Sequence, residues 1–207
     1  MNVSPDLREL LLGPTEEVAP LLLNAVLRHG EVAVRLTEVE AYAGPADPGS
    51  HAFRGQTARN EVMFGPPGHL YCYFTYGMHV CANAVAGPVG TPGGILLRAG
   101  EVVDGVELAR SRRPGSSDRD LARGPARLCR ALAIELSHDG TDLRTGEITL
   151  EPGVPPDRWE AGPRVGLRGA PDRPWRFWTH GERSVSAYRP AATRTRRPRV
   201  DDADPTP

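Results

Sequence analysis

Two glutamates stand two residues apart in the segment VAVRLTEVEAY, where alternating apolar and β-branched residues predict a β-strand. In a regular strand Glu38 and Glu40 share one face, with their Cβ atoms roughly 6–7 Å apart. A solvated strand face would explain such a pair without any function. The same separation suits general acid and base catalysis at a glycosidic bond, so the spacing leaves both interpretations open.

The surroundings of this pair are unusual, because Val32, Val34 and Leu36 precede it at the same two-residue interval. In a regular strand these apolar side chains and the two carboxylates would all point to one side. A row that should enter the core is therefore expected to turn acidic without a change of register.

The segment GHLYCYFTYGMHVCANAV is typical of a β-hairpin that turns near Tyr76 and Gly77. Gly77 can supply the positive φ that tight turns need. Tyr76 at the tip is either a β-favouring residue packed on a neighbour or a wedge that inserts between base pairs of a duplex. Tyr71 and Tyr73 share one face of the first strand, a pattern found more often in a core than in a pocket.

Histidines and cysteines are present, but their spacing does not match a metal site. His69-x-x-Cys72 and His79-x-Cys81 are weak zinc patterns, and no paired C-x-x-C occurs in the sequence. We expect no metal. The three cysteines, completed by Cys129, are odd in number and predict reduced thiols rather than a disulfide framework.

The net charge of −1 conceals an uneven distribution of charge. Residues 1–107 carry 12 acidic side chains and 6 arginines, whereas residues 108–199 carry 11 acidic side chains and 19 arginines. The chain has no lysine. The basic second part suggests a polyanionic partner, although a cationic surface can also serve solubility alone, and an arginine-rich composition can also reflect a GC-rich genome.

The elements that must position these residues indicate an α+β domain with a mainly antiparallel sheet. Helices are predicted at 4–13 and 15–30 and within 103–113 and 124–137, where Leu128, Leu132 and Leu136 would line one face. Strands are predicted at about 31–42, 69–75, 79–86 and 93–100 and within 146–153 and 174–181.

The domain limits follow from composition. Residues 1–190 are expected to form one domain. Residues 191–207 are rich in proline and arginine and then acidic, and they are expected to form a disordered tail. No apolar run could cross a membrane and no secretory signal is visible, so we expect a cytoplasmic monomer with no membrane partner.

Six motifs together resemble the alkyladenine (3-methyladenine) DNA glycosylase family: TEVEAY, RN…MFGPPGHLYCYFTYGMHVCAN, ILLRAGE, GPARLCRALAI, PRVGL and PWRFW, within about residues 4–188. The resemblance implies a curved antiparallel sheet flanked by helices, with a protruding β-hairpin that enters the DNA minor groove. It implies a monofunctional hydrolase of base excision repair that releases alkylated purines from double-stranded DNA without metal or organic cofactor. A bacterial enzyme of this kind would associate with the nucleoid when bound to DNA.

The resemblance also assigns roles to individual residues. Glu40 matches the general base, Arg98 an arginine near the catalytic water, and Glu38 a supporting residue. In the family, some side chains enclose the flipped base and another helps to discriminate between bases. The residues of this chain that match them are Tyr42, His51, Tyr73 and Asn83. The side chains expected to contact DNA are Tyr76 as the intercalating wedge, Met78 beside it and Arg59 as a phosphate contact.

Two other functions remain open at this stage. One is a lesion-binding protein of the same fold without catalysis, which the presence of Glu40 disfavours. The other is a glycosidase that acts on a free nucleoside or a carbohydrate. Tyr76 and the arginine-rich second part of the chain disfavour that alternative.

Overall fold

The computed structural model describes residues 6–75 and 77–191. Eight strands form one sheet: β1 (Val26–His29), β2 (Val32–Tyr42), β3 (Leu70–Thr75), β4 (His79–Ala86), β5 (Gly93–Asp104), β6 (Ile148–Glu151), β7 (Trp159–Gly162) and β8 (Arg176–Thr179). The α-helices are α1 (Leu7–Leu10), α2 (Thr15–Val18), α3 (Val106–Arg112) and α4 (Pro125–Leu132). This confirms the predicted α+β class.

Strand β2 organises the sheet, because it pairs with three other strands. The main strand order is β3-β4-β5-β2-β1-β6, and β8 pairs with β2 and with β7. On the edge away from β5, β1 pairs with the first part of β2 and β8 with Glu38 to Glu40. Every pairing is antiparallel, so the expected sheet type is confirmed.

The two faces of the sheet have different chemistry. One face carries the main apolar core, in which α4 places Leu128 and Leu132 against β-strand residues such as Leu36 and Leu97. The other face carries a smaller cluster of Ala52, Met63, Tyr71 and Val85. The polar residues of the candidate site lie on this second face, so they do not interrupt the aliphatic core on the first.

Two β-bulges bring the glutamates to the second face, and they correct our expectation of a continuous register. Leu36 pairs with Gly100 and Glu38 with Ala99, so Thr37 is an extra residue on β2. Val39 pairs with Leu97, which makes Arg98 an extra residue on β5. A bulge inserts one residue and thereby shifts the two-residue alternation of side chains.

The residues that belong to the main core show this shift in alternation. Val32, Val34 and Leu36 belong to it before the bulge, and Val39 and Ala41 after it. The acidic residues therefore do not continue the row of Leu36, as the regular pattern predicted. The bulge turns them to the opposite face, and the core row continues in the alternate residues.

The predicted helix over 15–30 is wrong in its second half. The chain forms α2 and then a 3₁₀ turn, Ala19–Leu22, in which Pro20 cannot donate an intrahelical hydrogen bond. Asn24 adopts a left-handed φ of 66° and turns the chain, and Val26–His29 is strand β1. Pairing with both β2 and β6 outweighs the helical pattern of this segment.

The last helix in the chain is also shorter than predicted. It ends at Leu132 because Ala133 takes a left-handed φ of 55°. Leu136 lies in a following 3₁₀ turn and is 43% exposed, so it does not extend the buried row of Leu128 and Leu132. Strand β7 was not predicted, and among the described strands it pairs with β8 alone.

The predicted hairpin is confirmed as β3 and β4, whose last pair is Thr75 with His79. Gly77 has a φ of 66°, the conformation expected of it. Tyr76 and the tail beyond residue 191 lie outside the described residues. Among the helices that the structure describes, none has the length and apolar character needed to cross a membrane.

Candidate active site

A cavity of about 320 Å³ lies on the second face of the sheet. Its volume falls in the range of about 300–1,000 Å³ that is usual for small-molecule sites. Strands β2 to β5 supply most of its wall, and a loop at 165–167 and the start of α4 complete it. The lining side chains with chemical capacity are Glu40, Tyr42, His51, Tyr71, Tyr73, Cys81, Asn83 and Arg98.

Glu40 is a fully buried carboxylate that borders this cavity. Its Oε1 accepts the backbone N–H of Val165 at 2.7 Å, and its Oε2 accepts the hydroxyl of Tyr42 at 2.9 Å. Arg98 Nη1 lies 3.4 Å from Oε1. All three neighbours present hydrogens to the carboxyl group, so the surroundings suit an acceptor rather than a protonated acid.

Glu38 is equally buried but does not line the cavity. Its Oε1 accepts Arg98 Nε at 2.8 Å, Arg176 Nε at 2.6 Å and the hydroxyl of Ser186 at 2.9 Å. Its Oε2 accepts the backbone N–H of Ser186 at 2.6 Å. With four donors this carboxylate is well satisfied, and it holds two buried arginines in place.

Arg98 connects the two glutamates. Its Nε binds Glu38, its Nη1 lies beside Glu40, and its Nη2 donates to Ser186 Oγ at 3.2 Å. Burial opposes the charge of this guanidinium, but Glu40 and Glu38 outweigh that effect and raise the pKa of Arg98 above its ordinary value. The bulge on β5 therefore places one positive charge between two negative ones.

Tyr42 is braced by a buried ion pair behind it. Arg164 stands 4.6 Å from the ring centroid of Tyr42, donates to Asp47 through Nη1 and Nη2 at 2.5 and 2.8 Å, and donates to the Ala41 carbonyl. Burial would raise the pKa of Asp47, but the hydrogen bonds from Arg164 and from the Gly49 backbone lower it below its ordinary value. This pair anchors the residue next to Val165, whose N–H reaches Glu40.

The hydroxyl of Tyr42 remains a donor at physiological pH. Burial raises the pKa of Tyr42 well above its ordinary value, and the adjacent negative charge of Glu40 raises it further. Because the phenol keeps its proton, the contact of 2.9 Å with Oε2 is a hydrogen bond donated to Glu40.

Three aromatic residues form the opposite part of the wall. Tyr71 and Tyr73 are stacked with centroids 5.8 Å apart, and the ring of His51 meets Tyr73 edge-on at 4.5 Å. His51 Nδ1 lies 3.0 Å from the hydroxyl of Tyr71. Burial raises the pKa of Tyr71 to about 12, so this part of the wall is neutral and rich in π-electrons.

His51 also belongs to this neutral wall. Burial lowers the pKa of its imidazole, and the charge of Arg59 lowers it further. A pKa below the ordinary 6.5 leaves the ring uncharged at neutral pH. The cavity can therefore receive a cation without repulsion from this side chain.

Asn83 and Cys81 project into the same space from β4. The amide of Asn83 donates to the backbone carbonyl of Tyr71 at 3.1 Å, which fixes its orientation. Burial raises the pKa of Cys81 to about 11, so its thiol stays protonated and unreactive. Cys72 and Cys129 are also free and buried.

Two of the three predicted DNA-contacting residues, Met78 and Arg59, lie at and beside the end of the hairpin. Met78 is 71% exposed at the end of the hairpin, and Arg59 donates to the carbonyl of Phe74 on β3 at 3.1 Å. The structure thus brings Glu40, Arg98, Tyr42, His51, Tyr73 and Asn83 together around one cavity, with Arg59 and Met78 outside it. The position of Tyr76, the predicted wedge, is not among those described.

One group of metal-ligand atoms occurs elsewhere among the described residues. His29, His138 and Glu147 place such atoms within 4.8 Å of one another. However, Nδ1 of His138 accepts the backbone N–H of Glu135, so a neutral ring carries its proton on Nε2, the nitrogen that faces Glu147 at 3.7 Å. That nitrogen offers no free lone pair, and the group is explained as a hydrogen-bonded cap. Nothing brings His69, Cys72, His79 and Cys81 together in the part of the chain that is described.

Sequence reasoning missed the residues that hold the two glutamates. Val165, Arg176 and Ser186 all reach β2 from more than 120 positions along the chain. The motifs PRVGL and PWRFW contain the first two, but the resemblance assigned them no role. Tyr71, read as a core residue, is 1% exposed and belongs both to the smaller core cluster and to the cavity wall.

The chain is similar to known proteins over most of its length. The family model described as methylpurine-DNA glycosylase matches residues 9–183. A protein of Streptomyces avermitilis is 52% identical over 205 residues, which is 94% of this chain and 96% of the relative. A protein of Leifsonia xyli is 54% identical, covering 88% of this chain and 92% of the relative, and one of Burkholderia lata is 51% identical, covering 82% and 85%. Each carries the name "Putative 3-methyladenine DNA glycosylase".

Proposed function

The chain belongs to the methylpurine-DNA glycosylase family, whose members are hydrolases of N-glycosyl bonds, and on that premise we propose that Glu40 activates the water that releases an alkylated purine from duplex DNA. The substrate is a base of the 3-methyladenine type. A base inside the duplex is out of reach, so the enzyme must rotate the nucleotide out of the stack. The cavity on the second face of the sheet is the space that would receive it.

The observation that carries this proposal is the environment of Glu40. The carboxylate is buried, accepts hydrogen bonds from Val165 and Tyr42, and borders the cavity. There it can take a proton from a water whose oxygen attacks C1′ of the sugar, and it can stabilise the positive charge that develops on the sugar. Arg98 keeps the carboxylate in position and contributes to holding the water.

The leaving base needs little assistance. In a cationic alkylated purine, the electrons of the breaking C1′–N bond neutralise the ring as it departs. No general acid is required for that step. One carboxylate acting as a base is then sufficient, and Glu38, which is satisfied by Arg98, Arg176 and Ser186, serves to position its neighbours.

The aromatic wall suits the positive charge of such a base. Tyr42 and Tyr73 offer ring faces, and cation–π attraction in a desolvated site amounts to about 2 kcal/mol. The neutral imidazole of His51 adds no repulsion. Asn83, fixed by its bond to Tyr71, is placed to distinguish the polar edge of one base from that of another.

The hairpin would stabilise the opened duplex. We propose that Tyr76, which stands in sequence between β3 and β4, fills the gap left by the rotated nucleotide. Unstacking costs a few kcal/mol, and a stacked aromatic ring offsets part of it. Met78 would lie against the DNA at the same tip, and Arg59 would approach a phosphate.

The deciding experiment measures base release from duplexes that each carry one defined lesion. We expect free 3-methyladenine and an intact strand with an abasic site. The chain has no lysine, so no lysine amine can form the Schiff base of a strand-cutting glycosylase, and borohydride should trap no covalent complex.

Other outcomes of the same experiment would contradict the proposal. Tight binding of lesion duplex without base release would indicate a non-catalytic lesion-binding protein. Hydrolysis of the free nucleoside at a rate equal to that of the duplex would indicate a nucleoside glycosidase. Substantial trapping by borohydride would contradict the monofunctional mechanism.

A further inference from the structure

The last described segment of the chain contacts Glu38 and its neighbours. Residues 185–191 belong to neither a helix nor a strand. Three donors from elsewhere in the fold hold the main chain of this segment: Arg123 Nε donates to the Val185 carbonyl at 2.7 Å, Arg176 Nη2 to the Ser186 carbonyl at 2.8 Å, and the Gly166 N–H to the Arg189 carbonyl at 2.8 Å. The backbone of Ser186 is therefore fixed independently of its side chain.

The hydroxyl of Ser186 closes a ring of hydrogen bonds with Glu38 and Arg98. Its oxygen lies 2.9 Å from Glu38 Oε1 and 3.2 Å from Arg98 Nη2. Because a carboxylate only accepts and a guanidinium only donates, the serine must donate to Glu38 and accept from Arg98. Arg98 Nε completes the ring through its bond of 2.8 Å to the same oxygen of Glu38.

Two bonds orient the guanidinium of Arg98 better than one. The bond from Nε to Glu38 fixes one point of the planar group and leaves its tilt loose. The second bond, from Nη2 to Ser186, fixes the plane. The remaining nitrogen, Nη1, then faces Glu40 at a distance of 3.4 Å.

Arg98 and Ser186 stand in different relations to the cavity. Arg98 lines it, whereas Ser186 lies outside the cavity wall as the described residues form it. A bound base would touch the arginine and not the serine. Any effect of the Ser186 hydroxyl on the reaction must therefore pass through the groups to which it is bonded.

We propose that the Ser186 hydroxyl is a positioning group for the reaction, which holds the guanidinium plane of Arg98 so that Nη1 stays directed at Glu40 and the attacking water. This inference rests on the proposed function. Without the hydroxyl, Arg98 keeps its charge and its bond to Glu38 but loses the fixed plane. A misplacement of about 1 Å in a site can cost about 10²-fold in rate.

The first test removes the hydroxyl by Ser186→Ala. Single-turnover release of 3-methyladenine from lesion duplex is measured over a range of enzyme concentrations, which separates binding from chemistry. The maximal rate should fall by about 10–100-fold. The enzyme concentration that gives half of the maximal rate should stay at the wild-type value, because Ser186 does not touch the bound nucleotide.

Two further variants at the same position distinguish the hydroxyl from side-chain size. Ser186→Thr keeps the hydroxyl, and its extra methyl group can be accommodated because Ser186 is only partly buried. Ser186→Cys keeps a side chain of similar length, but a thiol is a weak donor and a weak acceptor. Threonine should retain most of the wild-type rate, and cysteine should lose as much as alanine.

The matched control is Ser184→Ala. The Ser184 hydroxyl is buried and bonds to Thr37 Oγ at 2.9 Å, and within residues 6–75 and 77–191 it has no hydrogen bond to Arg98 or Glu38. Its loss should lower the melting temperature at least as much as Ser186→Ala does. The maximal rate should stay at the wild-type value, so lost stability alone does not explain a lost rate.

A double-mutant cycle tests whether Ser186 acts through Arg98. Arg98→Lys keeps the positive charge but removes Nη2, the atom from which the serine accepts a hydrogen bond. Ser186→Ala should therefore reduce the rate of the Arg98→Lys protein far less than it reduces the rate of the wild type. Equal losses in the two backgrounds would show that Ser186 acts by another route, and they would overturn the inference.

The other contrary results are equally specific. A folded Ser186→Ala protein with the wild-type maximal rate, or a threonine variant as slow as the alanine variant, overturns the inference and leaves the proposed function standing. Should Ser186→Ala fail to fold, Ser186→Cys replaces it in the same assays. Wild-type protein that releases no base contradicts the proposed function, and the inference falls with it.

Discussion

The site contains two buried glutamates on one strand, and they have different surroundings. The closed half consists of Glu38 with Arg98, Arg176 and Ser186, which together donate four hydrogen bonds to the carboxylate. The open half consists of Glu40 with Tyr42 and Val165 and borders the cavity. Residue type, strand and burial are the same for both glutamates.

The difference teaches that burial of a carboxylate does not identify a catalytic group. A buried charge needs partners, and one that meets its full set of donors contributes to structure. A carboxylate that has fewer donors and borders an empty space can still accept a proton from a bound molecule. The number of donors and the access to the cavity separate the two roles.

The largest expected effect on activity comes from Glu40→Gln. The amide keeps the shape of the side chain but loses the charge and the proton acceptor, so the single-turnover rate of 3-methyladenine release should fall by about 10²–10⁴-fold. Affinity for lesion duplex should change little, because phosphate contacts and stacking are untouched. A gel-based base-release assay and a binding titration measure the two quantities.

The control for that variant is Glu101→Gln. Glu101 lies on β5, is exposed and pairs with Arg35, so the substitution removes an acidic charge without reaching the cavity. Glu38→Gln is unsuitable as a control for charge, because it disturbs two buried arginines. A Glu40→Gln protein that releases base at nearly the wild-type rate would remove the distinction between the closed and open halves.

Glu38→Gln should act mainly on stability. The substitution gives Arg98 and Arg176 a neutral amide as partner in place of the carboxylate. Removing one partner of a buried ion pair typically costs about 3–5 kcal/mol of stability. The free energy of unfolding in urea should fall by that order, and by clearly more than for Glu40→Gln. Equal losses for the two variants would show that the closed half is not the more structural of the two.

A smaller effect, seen in the pH dependence of stability, is expected at His51. Its folded pKa lies below 6.5, so the unfolded chain binds the proton more readily. The contribution of this neutral ring to the free energy of unfolding is complete above about pH 6.5 and is lost as the pH falls through the folded pKa. His51→Gln should make the urea midpoint less sensitive to a change from about pH 7.5 to about pH 5.5.

His79→Gln, at an exposed position of β4, provides the matched control for His51. It should show the wild-type dependence on pH. If His51→Gln and wild type lose stability in parallel, the imidazole is not held neutral by its burial beside the cavity, and the cavity is less adapted to a cation than proposed.

Local sequence patterns predicted the elements whose contacts are local. The hairpin of β3 and β4 and helix α3 belong to this class, because turn residues and helical spacing lie within a few positions of one another. Strand β1 could not be predicted in the same way. It exists through pairing with β2 and with the distant β6, and the pattern of its segment resembles a helix.

The site itself was only partly predictable. Resemblance to a family supplied Glu40, Tyr42 and Arg98, and the structure gathers them around one cavity. The contacts that separate Glu38 from Glu40 come from Arg176 and Ser186, 138 and 148 positions away, and no local pattern encodes such distances. The bulges were invisible for a related reason, since an extra residue is defined only by the partner strand.

The paired bulges make the site depend on strand register as well as on side-chain identity. Thr37 and Arg98 are each one residue more than a regular ladder would hold, on two strands that face each other. If Thr37 were instead paired regularly with β5, Glu38 and Glu40 would turn into the aliphatic core and Val39 and Ala41 towards the cavity. The side of the sheet on which the two carboxylates lie is therefore set by strand pairing between Leu36 and Val39, and a change that straightens this pairing would disable the site without altering any residue that lines the cavity.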